Sequence, residues 1–106
     1  MRHIKERDIQ RYLVERVEAL GGEVRKVEWV GRRFAPDRVV MLPASPHRYV
    51  QGHGTIWVEL KNPETIKTFP ANAHERGQHR EHERMRAVGQ HVVVIGTFEQ
   101  VDEVLR

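Results

Sequence analysis

The 106-residue chain contains no cysteine, which excludes a disulfide framework and any thiolate metal site. No apolar run approaches the roughly 20 residues that a bilayer-spanning helix needs, so no membrane association is expected. The opening residues, MRHIKERD, lack the apolar centre of a secretory signal, and a cytosolic compartment is the expectation. Nor does one sign of charge dominate. Eighteen Lys and Arg stand against fifteen Asp and Glu, for a formal net charge of +3. That balance permits a polyanionic partner without demanding one. Internal repeats, linkers and low-complexity segments are missing too, so residues 1–106 read as one domain. A chain of this length buries roughly two-thirds of its unfolded surface, and a hydrophobic content of 39% is enough for a small core.

The pattern along the chain is α-β-β-β-α-β-α. Ile9, Leu13, Val17 and Leu20 recur at helical spacing, which predicts a helix over residues 4–20 that ends at Gly21-Gly22. EVRKVEWV (23–30), DRVVML (37–42) and TIWVELK (55–61) read as strands. Between the last two, PASPHRYVQGHG (43–54) is rich in turn formers and predicts a long hairpin connection. Residues 62–77 hold two prolines and little periodicity, so a loop is expected, followed by a helix over 78–88. HVVVI (91–95) is nearly all apolar, as in a central strand covered on both faces. Residues 98–105 close the chain as a helix. The short connection between the second and third strands implies antiparallel pairing, and the helical crossover to the fourth implies a parallel pair. The fold class is therefore mixed α/β, a small sheet flanked by helices.

The stretch GRRFAPDRVV (31–40) places an acid at the mouth of a strand and rings it with arginines. Two strands pairing there would bring Asp37 toward Glu59. Side chains alternate along a strand, so Trp57, Glu59 and Lys61 share one face while Val58 and Leu60 face the core. Two nearby carboxylates repel one another, and a divalent cation removes that conflict. Mg²⁺ takes oxygen ligands, commonly one or two carboxylates with water and phosphate oxygens, and such an ion assists phosphodiester hydrolysis. Lys61 would add a positive charge beside the reacting phosphorus. Taken singly, a Pro-Asp before a strand is a common turn, and Glu-x-Lys is a common solvated pair. Their joint order on neighbouring strands is what points to chemistry. Arg32, Arg33 and Arg38 suit phosphate contact, since guanidinium pairs well with phosphate; solvated ion pairs are the other reading. His74, His79 and His82 do not form the HExxH pattern, and without a third ligand they predict no zinc site. His82 shares a face with Gln78 and Met85, which suits a hydrogen-bonded histidine near the site.

PDRVV followed by WVELK resembles the PD-(D/E)XK nuclease superfamily. More narrowly, GRRFAPDR, WVELK and QHREHERMRAVG, with HVVVIGTFEQVDEVL and KERDIQRYLVERVEALGG, resemble the VRR-NUC family over nearly the whole chain. The spacing of Gln78, His82, Met85 and Gly89 suits that family's helix. Phe34 departs from it, standing where a glycine is usual, and the stretch between the two acidic motifs is longer than expected. The resemblance implies a restriction-endonuclease-like core and an Mg²⁺- or Mn²⁺-dependent endonuclease acting on DNA. Asp37, Glu59 and the carbonyl of Leu60 would be metal ligands, and Lys61 the catalytic lysine. Gln78 would open the second helix and point toward the site. Glu6 would join from the inward face of the first helix; an acid in a first helical turn also simply favours the helix dipole. Single-domain relatives of phage or prophage type imply a homodimer in the bacterial cytoplasm, cutting branched DNA such as four-way (Holliday) junctions. A duplex or flap endonuclease of the same superfamily, or a non-catalytic DNA-binding accessory module, are the alternatives.

Overall fold

A computed structural model describes residues 3–44 and 54–106. Helix α1 (Glu6–Ala19) is followed by strands β1 (Glu23–Lys26), β2 (Arg38–Met41) and β3 (Thr55–Leu60). A short 3₁₀ turn (Thr65–Thr68) precedes helix α2 (Ala73–Ala87), strand β4 (Val92–Ile95) and helix α3 (Phe98–Val104). The connection expected over residues 43–54 lies mostly outside the described residues. Among those described, no helix is long and apolar enough to cross a membrane.

The strands form one sheet in the order β1-β2-β3-β4. β1/β2 and β2/β3 pair antiparallel, and β3/β4 pair parallel across the α2 crossover. One sheet face is apolar because Val40, Ile56, Val58 and Leu60 fall at alternating positions. They bury against Ile9, Leu13 and Val17 of α1 and Val101 of α3. Tyr12 ties α1 to α3. Its hydroxyl donates to Asp102 at 2.7 Å, Arg16 pairs with the same carboxylate, and its ring meets Phe98 edge-on. Gly21 takes a left-handed φ of 83° just past α1, the conformation that ends helices at low cost in glycine.

Three sequence expectations change. β4 lies at an edge of the described sheet rather than at its centre, and its Val93 and Val94 are only half-buried. β1 stops at Lys26, although the Val27 amide still donates to the Asp37 carbonyl at 2.9 Å. The segment 62–77 is not all loop. It contains the 3₁₀ turn, and α2 begins at Ala73 because the Asn72 side chain accepts the Glu75 amide at 2.9 Å as an N-cap. Gln78 therefore lies inside α2 and does not open it.

Candidate active site

The second sheet face carries the polar constellation. Arg38 pairs with Val58 across β2 and β3, so one further step in the same register sets Asp37 opposite Glu59. The Val27–Asp37 hydrogen bond continues the β1/β2 register through the same residue. Directly opposed residues on antiparallel strands project to one face, with Cβ atoms about 5 Å apart. Asp37 is half-exposed, whereas the Glu59 side chain keeps only 10% of its surface.

The backbone adds an oxygen at the same edge. Trp57 and Lys61 donate their amides to His91, just before β4, and to Ile95 at its end, so the alternate residues Val58 and Leu60 aim their amide and carbonyl groups at β2. Carried two steps past Arg38 and Val58, the same register would meet Leu60 at Pro36. Proline has no N–H, so the ladder donor that would cap the Leu60 carbonyl does not exist. The register thus directs two carboxylates and a carbonyl toward the end of β3. Among the described residues, no three acid or histidine side chains come close enough to hold an ion by themselves.

Glu6 reaches this region from the start of α1. Its carboxyl is held above the ordinary carboxylate range, chiefly by partial desolvation. Lys61 opposes that shift, Asp37 and Glu59 add to it by repulsion, and Arg38 opposes it. The charges of Lys61, Asp37, Glu59 and Arg38 thus all act on Glu6.

Helix α2 covers the site with a polar stripe. Glu75, Gln78 and His82 recur at i, i+3 and i+7 and are all buried. His82 bonds the Glu59 carboxylate through Nε2 at 3.2 Å, and Phe69 stacks on its ring. Because a carboxylate only accepts, Nε2 carries the proton in this bond. Gln78 accepts from Lys61 Nζ at 2.9 Å, Glu75 Oε2 lies 3.1 Å from the same nitrogen, and the Phe69 ring lies 5.2 Å below it. The Glu75 carboxyl is held below the usual range, first by the Ala71 amide and also by Lys61.

The arginines divide. Arg32 donates through Nε and a terminal nitrogen to both oxygens of buried Glu81, which Arg84 also contacts. Those two arginines, Arg32 foremost, hold the Glu81 carboxyl low. Arg32 is thus an internal brace from the 31–37 loop to α2. Arg38 bonds Gln10 at 3.0 Å and Asp37 at 3.1 Å and is largely covered. Arg33 is exposed, its guanidinium lying over the Phe34 ring. Phe34 has a φ of 70°, a conformation that favours glycine, and its ring packs on Gly77 of α2. Trp29 completes the loop's anchoring by donating its indole N–H to the Pro36 carbonyl.

Sequence reasoning passed over Glu75 and Glu81 altogether. The signal that could have found Glu75 is the Asn-x-x-Glu spacing of Asn72 and Glu75, which marks a helix start at Ala73, five residues before the one expected.

The comparisons with known proteins point one way. No family model matches the chain. It is 38% identical over 95 residues to "Putative nuclease p44" of Acyrthosiphon pisum secondary endosymbiont phage 1, covering 90% of this chain and 86% of that protein. A solved structure described as "VRR_NUC domain" is similar at 40% identity with a TM-score of 0.68, covering 94% of this chain and 92% of that one.

Proposed function

The chain belongs to the VRR-NUC family of nucleases, and from that premise we propose that it is a metal-dependent endonuclease that hydrolyses DNA phosphodiester bonds, with four-way junctions as its preferred substrate. The observation that supports the reading is the β2/β3 register, which, carried one step past Arg38 and Val58, brings Asp37 to the level of Glu59, with Lys61 two residues further along the chain. The donor set fits a hard divalent cation. Asp37, Glu59 and the uncapped Leu60 carbonyl would hold Mg²⁺ or Mn²⁺, leaving the remaining positions to water and phosphate oxygens. When bound, the ion supplies charge neutralisation and polarises the phosphoryl group.

The chain's own residues do the rest. Lys61 projects its positive charge where negative charge grows on the phosphorus oxygens. Gln78 fixes that amine by accepting from it, and His82 fixes one oxygen of Glu59. Glu6 faces the same cluster and is the remaining carboxylate able to orient a water there. Arg33 is the arginine of the three free to meet a DNA phosphate, since Arg32 and Arg38 are engaged within the fold.

The homodimer reading is supported by apolar side chains that this fold leaves uncovered. Met41 lies on the sheet face that α2 only partly covers, and the Trp29 ring meets Trp57 of that face at a tilt of 50°; both Met41 and Trp29 are exposed, as is Val88 at the end of α2. Where such groups join into one apolar patch, a partner surface covers it. A second copy would also enlarge the surface available to a branched substrate.

A panel of end-labelled duplex, flap and four-way DNAs, each incubated with Mg²⁺, Mn²⁺ or chelator, tests the reading. Cleavage that needs the ion, favours the junction and falls to a small residual rate in Asp37→Ala and Lys61→Ala is expected. Undiminished cleavage in chelator, or by either variant, overturns it. Light scattering that gives a monomer at working concentration removes the dimer.

A further inference from the structure

The buried acid Glu75 has no part in the metal set, and a helix start alone does not explain it. Its Oε1 accepts the Ala71 amide at 2.8 Å, which is ordinary work for an acid in a first helical turn. That task needs one oxygen and no burial. The other oxygen, Oε2, is turned inward to lie 3.1 Å from Lys61 Nζ, and the Glu75 side chain keeps only 8% of its surface. A buried carboxylate turned onto a lysine is costly unless the pair is well bonded, and here Gln78 completes the bonding from one helical turn further on.

We propose that Glu75 is a positioning residue for Lys61. It acts with Gln78 to take two of the lysine's three N–H donors and leave a single one directed at the reacting phosphate. An ammonium on a flexible four-carbon stem otherwise samples many rotamers. Glu75 and Gln78 grip it from α2, and the Phe69 ring centroid lies 5.2 Å from its nitrogen. The lysine of the Glu-x-Lys strand motif is thus aimed by a helical acid 14 residues away in sequence. The proposal rests on Lys61 being the catalytic amine, and the experiment separates the two.

Glu75→Ala removes the Ala71 cap as well and could unfold the helix start, so Glu75→Gln is the informative variant. Glutamine has one carbonyl oxygen, and keeping it on the Ala71 amide turns an NH₂ group toward Lys61. On a labelled four-way junction with Mn²⁺, Glu75→Gln is expected to lower kcat by roughly 10- to 100-fold, the scale of a small misplacement of a catalytic group. KM and the melting temperature should hold close to the wild type. Glu75→Gln combined with Lys61→Ala should be no slower than Lys61→Ala alone, since Glu75 acts only through the lysine. In metal-free protein, a Lys61 ammonium cross-peak in the ¹H–¹⁵N NMR spectrum, assigned with Lys61→Arg, should persist in the wild type and broaden away in Glu75→Gln. Wild-type kcat in Glu75→Gln, multiplicative effects in the double variant, or an unchanged ammonium signal overturns the role of Glu75 while leaving Lys61 catalytic. Full activity of Lys61→Ala overturns the reading of the lysine, and the proposal with it.

Discussion

His82, with no exposed surface, holds one oxygen of Glu59 through its Nε2 at 3.2 Å. Its other ring nitrogen is buried without a partner among the described residues. The ring therefore has one polar task, and that task is the carboxylate. Replacing His82 with Phe keeps the stack on Phe69 and most of the volume but strips Glu59 of its partner. A buried acceptor left unmade costs roughly 1–3 kcal/mol. Ligand-orienting partners of this kind change metal affinity about 10- to 100-fold when removed. His82→Phe should lower the urea midpoint modestly and weaken Mn²⁺ binding by titration calorimetry. Unchanged Mn²⁺ affinity would reduce His82 to a packing residue.

Arg32 and Arg33 are neighbours with opposite expected phenotypes. Arg32 satisfies buried Glu81 with two hydrogen bonds, so Arg32→Ala leaves that carboxylate to Arg84 alone and should cost roughly 1–3 kcal/mol of stability. Arg33 is exposed and stacked on Phe34, and a surface change there stays within about 0.5 kcal/mol. If Arg33 meets a phosphate, Arg33→Ala should weaken DNA binding uniformly and lower the slope of log K against log salt by about one. Chemical denaturation and salt-titrated binding on both variants separate the roles, and a destabilised Arg33→Ala with normal DNA binding would reverse the assignment.

The carboxylates predict two opposite pH responses. Glu75 and Glu81 have folded-state values below the ordinary Glu value of 4.5, so the unfolded chain binds protons more readily there. Their contribution is full above about pH 4.5 and is lost as pH falls through their depressed values. Glu6 is raised from 4.5, and its sign is reversed. Its contribution is present below 4.5 and is lost as pH rises through the raised value, so at neutral pH its charge is a liability. Glu6→Gln should then stabilise the metal-free protein near pH 7, by less than about 1 kcal/mol because the residue is exposed to solvent screening, while lowering cleavage. Thermal melts at pH 4 and pH 7 give the comparison. A variant destabilised at pH 7 would show that Glu6 serves the fold rather than the site.

What the sequence disclosed follows from which physical signals are local. Strand alternation placed Glu59 and Lys61 on the face opposite Val58 and Leu60, and the four-strand topology with its parallel crossover was legible from element order and connection length. The start of α2 was not, because the stripe this helix buries is polar. Glu75, Gln78, Glu81 and His82 give no apolar period to detect. β4 reads as a central strand because its run is apolar, but an apolar run does not reveal that, among the described residues, no strand pairs beyond it. The fate of Arg32 was hidden for a different reason. Its partner, Glu81, lies 49 residues away, and only the packing of the loop on α2 joins them.

Phe34 offers the sharpest test of how the 31–37 loop is built. Its φ of 70° costs a non-glycine residue about 1–2 kcal/mol, which glycine at this place would avoid. The ring offsets that cost by packing on Gly77, where an added Cβ would lie 2.9 Å from Phe34 Cζ. The two positions should therefore be coupled. Gly77→Ala alone should destabilise by roughly 1–3 kcal/mol through overpacking, displacing the loop that carries Asp37 and reducing cleavage. In a Phe34→Gly background the clash is gone. The same change then gains the helix propensity of alanine over glycine, about 1 kcal/mol in its favour. Urea denaturation of the wild type, both single variants and the double variant closes the cycle. A coupling energy near zero would mean that the Phe34 ring does not hold the loop to α2, and that some other contact sets the approach of Asp37 to Glu59.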